Sequence, residues 1–163
     1  MMRNSLLIFF LAAQVAVCSH AADLSHLAGQ VVRVVDGDTI VLKVADAQHR
    51  VHLAGIDAPE KNQAWGESST HELRRQIAGR HVVFGWRKRD RSERLIGVVR
   101  LAGRDMNLHM IDLGLAWHYE QYADEQSPGD SEAYSAAEKA ARDARRGLWS
   151  EPEPIPPWEW RSR

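Results

Sequence analysis

Two acidic residues stand where predicted strands end, and their positions suggest a place for a hard cation. Asp38 follows the tight turn in VVDGDTIVL, and Asp57 closes the strand in HLAGIDAPE. Pro59 has no N–H and favours an extended conformation at Ala58, so the Ala58 carbonyl can point outward. Carboxylate and carbonyl oxygens are the ligands that Ca²⁺ prefers. The pattern predicts a Ca²⁺ site at Asp38, Asp57 and Ala58, while the competing interpretation is two ordinary acidic turns.

Glu60 directly follows Pro59, on a backbone that the proline constrains. A carboxylate held there beside a metal can orient a water or accept its proton, which is hydrolytic chemistry. Thiol chemistry is excluded, because the single cysteine, Cys18, lies in the N-terminal segment that we expect to be removed.

Basic residues gather in WRKRDRSER, between the last two predicted strands. An exposed loop there could contact several phosphates and attract a nucleic acid, which the net charge of −1 does not do. The alternative is a solvated hairpin tip in which Asp90 and Glu93 pair internally. Two tyrosines after a short predicted helix could stack on bases. The candidate substrate-binding residues of these segments are Arg87, Lys88, Arg89, Arg91, Tyr119 and Tyr122.

The elements that must position these residues are short. Alternating and β-branched runs predict strands at 29–36, 39–44, 50–56, 81–86 and 95–101. From Gly66 the pattern predicts a helix between the third and fourth strands, with a capping box of Ser69 and Glu72. Two more helices follow, the second ending at Gly147. This order favours an α+β fold that is mainly β: a five-stranded OB-fold barrel with three helices.

The first residues differ from the rest of the chain. Arg3 precedes a short apolar stretch at 6–17, and small residues follow, which is typical of a cleaved secretory signal peptide. The stretch is shorter than the ~20 apolar residues that span a bilayer. We expect a signal peptide at 1–21, one domain at 22–150 and a Pro/Trp-rich C-terminal tail at 151–163. The mature protein is expected to be secreted or periplasmic, without stable membrane association.

Five segments occur in an order that resembles the staphylococcal nuclease-like (thermonuclease) family: VVDGDTIVL, LAGIDAPE, RLIGVVRLAGRDMN, GLAW and ARRGLW. The resemblance covers the chain from about residue 29 to 149. It implies an OB-fold barrel and a Ca²⁺-dependent phosphodiesterase that acts on DNA and RNA. The site residues that it implies are Asp38 and Asp57 as side-chain calcium ligands, Ala58 as main-chain ligand, Glu60 as general base and Arg94 as the group that stabilises charge on the reacting phosphate.

One position departs from the family pattern. Active members of the family place a second arginine five residues before the aspartate that corresponds to Asp57, where this chain has His52. Arginine is always charged and grips phosphate with two parallel hydrogen bonds, whereas histidine is shorter and mostly neutral at pH 7. Arg50 is expected on the same strand face, where it could reach the phosphate instead or simply be solvated.

These observations predict a Ca²⁺-dependent nuclease whose activity His52 is expected to reduce. It should act as a monomer on DNA and RNA and prefer single strands. Two other classes stay open: a non-catalytic OB-fold module that binds nucleic acid through the basic loop, and a protein-interaction domain. Glu60 favours the enzyme, because a binding module has no need of a group that activates water.

Overall fold

The computed structural model describes residues 25–121 and 126–163. The expected signal peptide and Tyr122 lie outside these residues. Within the described part of the chain, no helix combines the length and apolar character that a membrane crossing needs.

Across the described residues, short strands alternate with four α-helices. The strands are β1 (Ser25–Val34), β2 (Thr39–Val44), β3 (Ala47–Leu53), β4 (Ile56–Asp57), β5 (His81–Arg89), β6 (Leu95–Leu101), β7 (Arg104–Asp105) and β8 (Trp117–His118). The helices of the described residues are α1 (Gly66–Ile77), α2 (Met106–Asp112), α3 (Pro128–Asp143) and α4 (Pro157–Trp160), with a 3₁₀ helix at Gly147–Ser150.

Five of these strands close into a barrel. Antiparallel pairing gives the order β3-β2-β1-β5-β6, and β3 then pairs in parallel with β6 to complete the ring. In the chain, α1 lies between the third and fourth barrel strands, as in an OB-fold. The closed five-stranded barrel with its helices confirms the predicted α+β fold.

Inward-facing side chains of the strands fill the barrel, and three helices add to its core. Among the fully buried strand residues are Val31, Ile40, Leu42, Val51 and Phe84. α1 adds Leu73 and Ile77 to this core, and α2 adds Met106, Met110 and Ile111. α3 joins the same core through Tyr134 and Ala137. Burial of this apolar surface is the main favourable term that holds the barrel and its helices together.

A smaller aromatic cluster connects the end of the chain to the barrel. Trp117 and Trp149 meet edge to face with ring centroids 4.3 Å apart, and the Arg142 guanidinium lies over both rings. Trp158 packs on Trp117 at a centroid distance of 5.5 Å. Because Trp117 pairs with Asp57 across β8 and β4, this cluster brings the tail close to the predicted site.

α1 begins at Gly66, where the sequence pattern predicts a helix, but the predicted capping box is wrong. Ser69 is a buried residue of the first turn and caps nothing. Tertiary packing fixes the start of the helix. A Cβ at Gly66 would lie 1.9 Å from the Glu60 carbonyl oxygen, so the missing side chain lets the loop after β4 fold back onto the helix.

Two further elements have different ends. β5 continues to Arg89, so Arg87 and Lys88 belong to a strand and not, as predicted, to a loop. α3 ends at Asp143, four residues before the predicted end, and Gly147 begins the separate 3₁₀ helix at a positive φ of 54°.

Gly97 in β6 allows a close approach between strands. A Cβ there would lie 2.0 Å from the carbonyl oxygen of Gly85 on β5. The Gly97 carbonyl accepts the Ala54 N–H at 2.7 Å and the side-chain amide of the buried Asn107 at 3.1 Å. Asn107 also donates to the Ala54 carbonyl and accepts the Val99 N–H. This network fixes the path of the chain from β3 to β4.

Gly97→Ala should lower the free energy of unfolding by about 1–3 kcal/mol, because the added methyl group forces two backbones apart. Urea unfolding followed by tryptophan fluorescence measures the change. Gly129→Ala, at the start of α3, is the matched control. A Cβ at Gly129 would have no atom within 4 Å from the described residues beyond its chain neighbours and its own helix backbone. Equal unfolding free energies for the two variants would contradict the role of this contact.

Candidate active site

A cleft of about 800 Å³ lies where the β1–β2 turn, β3, the loop after β4 and the β5–β6 hairpin meet. It brings together every residue predicted for catalysis or metal binding: Asp38, His52, Asp57, Ala58, Glu60 and Arg94. The predicted substrate-binding residues that also line it are Lys88, Arg89, Arg91 and Tyr119.

The cleft separates charges of opposite sign. We call four of its buried and half-buried acidic residues the acidic floor: Asp36, Asp38, Asp57 and Glu60. The basic side chains of the β5–β6 hairpin, which we call the basic rim, are Lys88, Arg89, Arg91 and Arg94. An acidic floor attracts cations and a basic rim attracts phosphates, so the cleft has the charge pattern of a site that binds both.

Asp38 is fixed from three sides. The Leu53 N–H donates to its main-chain carbonyl at 2.8 Å, which ties the β1–β2 turn to β3. Its carboxylate accepts the Thr39 hydroxyl at 2.9 Å and the Ala58 N–H at 2.8 Å. The last bond holds the loop that contains Asp57 against the start of β2.

His52 forms a charge contact with Asp38. Nδ1 of His52 lies 3.2 Å from Oδ1 of Asp38, without the alignment of a good hydrogen bond. Burial acts to lower the pKa of His52, but the contact with Asp38 and the charge of Asp57 together outweigh it and raise that pKa. Burial likewise acts to raise the pKa of Asp38, yet the charge of His52 and the bonds from Ala58 and Thr39 lower it. The pair therefore favours imidazolium beside carboxylate.

Asp36 is a third acidic group beside this pair. Its Oδ1 accepts the main-chain N–H of Asp38 at 3.2 Å. Burial and the neighbouring charge of Asp38 raise the pKa of Asp36 to about 6. A bound cation would lower this pKa, so Asp36 adds a negative charge to the floor when positive charge is present.

Asp57 and Glu60 share one guanidinium from the tail. The two terminal nitrogens of Arg161 donate to the two carboxylate oxygens of Asp57, at 3.0 and 2.7 Å. One of these nitrogens also donates to Oε1 of Glu60 at 2.9 Å. Burial raises the pKa of Asp57, and the hydrogen bonds from Arg161 oppose that rise.

Gln63 positions the backbone of Glu60. The side-chain oxygen of Gln63 accepts the Glu60 N–H at 3.0 Å, and its side-chain nitrogen donates to the Ile155 carbonyl at 2.6 Å. The Glu60 carboxylate is 39% exposed, so it faces the open cleft from a fixed backbone.

Arg94 lies on the cleft wall in a pair with Asp90. Its Nε donates to Oδ2 of Asp90 at 2.6 Å, and its main-chain N–H donates to Oδ1 at 2.9 Å. Burial acts to raise the pKa of Asp90, but the bonds from Arg94 lower it. The hairpin tip is thus internally paired, in agreement with one of the two interpretations of its sequence, and Arg94 still lines the cleft.

The other candidates are divided between cleft and surface. Arg50 is exposed on β3 and does not line the cleft, although it is only two residues from His52. Arg87 is also exposed and outside the lining, because it lies at a bulge between Trp86 and Lys88.

The acidic floor has the right donors for a hard cation. Carboxylates and the Ala58 carbonyl are oxygen ligands, and a positive group already rests on two of the carboxylates. Among the described residues, however, no three acidic, histidine or cysteine side chains converge closely enough to enclose an ion as they stand. The contacts explain this, since Arg161 takes both oxygens of Asp57 and the carboxylate of Asp38 faces the Ala58 N–H.

Comparison with known proteins agrees with the barrel and the cleft. The model of the family described as staphylococcal nuclease homologue matches residues 50–151. This chain belongs to the staphylococcal nuclease homologue family. Family membership supports a nuclease function, and the matched range contains most of the cleft residues but begins after Asp38.

Relatives of this nuclease homologue cover most of its length. An "Uncharacterized endonuclease" of Escherichia coli O157:H7 is 40% identical over 136 residues, which are 83% of this chain and 85% of that protein. "Micrococcal nuclease" of Shigella flexneri is 38% identical over 142 residues, 82% of this chain and 79% of that protein. "Protein ParB" of Escherichia coli is 37% identical over 171 residues, 99% of this chain and 94% of that protein.

Sequence reasoning missed two cleft residues of this nuclease homologue. The sequence analysis places Asp36 only at the end of the predicted strand 29–36, although its place one residue before Gly37 mirrors that of Asp38 and could have suggested a shared site. Arg161 gives no local signal, because it stands in the tail and reaches Asp57 across a separation of 104 residues.

The pKa of His52 should fall when Asp38 is replaced by Asn. The substitution removes the charge that raises this pKa and leaves burial, which lowers it. NMR titration of the imidazole in chelator, from about pH 5 to 9, measures the shift. Asp46→Asn, at the exposed β2–β3 turn, is the matched control and should leave the pKa of His52 unchanged.

The same titration has a consequence for stability. Folding raises the pKa of His52. The stability that this residue contributes is therefore fully present below its unfolded pKa of about 6.5 and is lost as pH rises through its folded pKa. The stability difference between the wild type and His52→Gln should therefore shrink as pH increases through neutrality. A difference that grows with pH would contradict the pairing with Asp38.

Proposed function

We propose that this protein is a Ca²⁺-dependent nuclease that hydrolyses phosphodiester bonds of DNA and RNA. The observation that carries the proposal is the acidic floor beside the basic rim, with the half-exposed Glu60 between them. Names of relatives such as endonuclease and micrococcal nuclease support the same reaction class.

The residues of the floor would hold the cation. Asp38, Asp57 and the Ala58 carbonyl are the oxygen ligands, and a bound Ca²⁺ supplies positive charge for a phosphate oxygen and for the attacking water. The donor set is hard and acidic, which fits Ca²⁺ better than a soft metal.

Glu60 is the general base of the proposed reaction. Its carboxylate accepts a proton from a water while the water oxygen bonds to phosphorus and the ester P–O bond on the opposite side breaks. The leaving oxygen takes its proton from solvent. Gln63 contributes indirectly, because its side-chain oxygen accepts the Glu60 N–H at 3.0 Å and so fixes the Glu60 backbone.

Positive side chains on the wall would stabilise the charge that develops on the phosphate. Arg94 is oriented by Asp90, and His52 is kept in its cationic form by Asp38. Histidine supplies fewer hydrogen bonds than arginine, so we propose that the reaction is slower than with two arginines.

The substrate is proposed to be single-stranded where it enters the cleft. The basic rim can follow a phosphate backbone, and Tyr119 lines the same cleft with an aromatic ring that can stack on a base. Export through a signal peptide at 1–21 and action as a monomer stay predictions from the sequence.

A nucleic-acid-binding module without catalysis is the second candidate. It is favoured by one observation: Arg161 neutralises Asp57 and Glu60, the groups that a hydrolase needs. Such a module would bind nucleic acid through the basic rim and be indifferent to chelator.

Glu60→Gln should reduce cleavage of single-stranded DNA by roughly 10²–10⁴-fold, since general-base catalysis contributes that much. Binding of the same oligonucleotide should persist, because the amide keeps the shape of the side chain. Initial rates with Ca²⁺ and fluorescence anisotropy measure the two effects. Glu67→Gln, an exposed carboxylate of α1, is the control and should cleave like the wild type.

An unchanged rate in Glu60→Gln would contradict its role as base. Asp38→Ala and Asp57→Ala should abolish cleavage, because each removes an oxygen ligand and a negative charge from the proposed Ca²⁺ site. Cleavage that continues in chelator would contradict that site. If no variant cleaves DNA or RNA with Ca²⁺, the binding module replaces the nuclease.

His52→Arg should increase turnover, because a permanent cation can make two charge-assisted hydrogen bonds to the phosphate. The wild type should also lose activity as pH rises through the pKa of His52, a loss that the arginine variant lacks. Arg50→Ala should have little effect, since Arg50 does not line the cleft. Rates measured against pH test all three, and a severe loss in Arg50→Ala would give the phosphate contact to that residue instead.

A further inference from the structure

The C-terminal tail is docked beside the acidic floor by several contacts. Trp158 stacks on Tyr119 at a centroid distance of 5.0 Å and packs on Trp117 at 5.5 Å. The Ile155 carbonyl accepts a hydrogen bond from Gln63 at 2.6 Å, and Pro157 is buried at the start of α4. These contacts determine where the following turn places its side chains.

Arg161 follows α4 and carries its guanidinium into the cleft. The contacts with Asp57 and Glu60 are 2.7 to 3.0 Å long, and two of them form a bidentate pair with Asp57. The guanidinium of Arg161 gives these two carboxylates the positive charge that a metal ion would otherwise supply. The nitrogens of Arg161 stand where a divalent ion would have to approach the same oxygens.

We propose that Arg161 is a tethered cation that competes with the divalent metal ion for Asp57 and Glu60, so that the docked tail sets the metal affinity of the cleft. The inference rests on the proposed function, because it takes the acidic floor to be the metal site. Both carboxylate oxygens of Asp57 are occupied by Arg161, and an ion that binds Asp57 must displace at least one of these bonds.

Electrostatics makes the two occupants mutually exclusive. A divalent ion on Asp57 would lie within a few ångströms of the guanidinium, and like charges at that distance repel strongly in a partly buried site. Arg161 is 47% exposed, so it can swing into solvent at little cost in burial. Metal binding and release of Arg161 are therefore one event.

The same tail covers a second part of the proposed site. Trp158 lies on the ring of Tyr119, which is the aromatic surface available for a base in the cleft. Release of the tail would uncover Tyr119 together with Asp57. Single-stranded nucleic acid and metal ion should accordingly each favour the released tail and strengthen each other's binding.

A role for Arg161 in gripping the phosphate is less consistent with its contacts. Its terminal nitrogens face the carboxylates of the floor and not the basic rim. The contacts are those of a competitor for the metal.

The test is calorimetric titration of the full mature chain with Ca²⁺ alone. If the carboxylates are free of Arg161 about a tenth of the time, Arg161→Gln should bind Ca²⁺ about tenfold more tightly than the wild type. Arg161→Lys keeps the charge without the bidentate geometry and should fall between them. Arg163→Gln removes the same charge from the same exposed end and is the matched control, expected to bind like the wild type.

A second variant tests the docking of the tail separately from the charge of Arg161. Trp158→Ala loosens the docked tail and should also tighten Ca²⁺ binding, with Arg161 itself intact. Thermal unfolding in chelator establishes first that each variant is folded.

The outcomes distinguish this inference from the proposed function. Equal affinities for the wild type and Arg161→Gln overturn the competition and leave the nuclease proposal standing. Weaker binding, or equal binding with slower cleavage, also overturns it and assigns Arg161 to catalysis. Absence of any Ca²⁺ binding, in Arg161→Gln as in Asp38→Asn, overturns both.

Discussion

The hydrogen bond between the Asp38 carboxylate and the Ala58 N–H is the constraint on which the cleft depends. A buried carboxylate must find partners, because an unpaired charge in the interior is very unfavourable. Asp38 finds them on different elements: Thr39 in β2, His52 in β3 and Ala58 after β4. Satisfying one buried group therefore assembles the parts of the site, and the barrel beneath supplies the rigid support.

Three cations of the cleft each face a carboxylate. His52 faces Asp38, Arg94 binds Asp90, and Arg161 binds Asp57. Such pairing balances charge within the protein and fixes the direction of these side chains. It also means that a phosphate or a metal ion that binds one of these groups exchanges with its existing partner. Affinity in this cleft is consequently a difference between two paired states, not the sum of new contacts.

Much of the architecture could be predicted, because alternation and turn signals are local. The five strands, the hairpin turn before Asp38 and the strand end at Asp57 follow from short stretches of sequence. The absence of a side-chain cap on α1 could not be predicted, since the start of the helix depends on the loop at Glu60 packing against Gly66. The extension of β5 through Arg89 likewise depends on pairing with β6 across a bulge. The period of a strand predicts Arg50 on the face of His52, but the twist of a barrel strand separates side chains two residues apart. The contact between Arg161 and Asp57 could not be predicted, because no residue near Arg161 in the sequence indicates packing against β4.

The bond between Arg161 and Asp57 affects two properties in opposite directions: stability without metal and affinity for metal. With no metal bound, the buried carboxylate of Asp57 would lack a strong partner, and Arg161 supplies one. A chain optimised to remain folded in calcium-poor surroundings would strengthen this bond. A chain optimised to capture scarce calcium would weaken it. For the proposed calcium site, the side chain at position 161 would set the calcium concentration at which the protein changes from its self-neutralised form to the metal-bound one, without any change in a ligand.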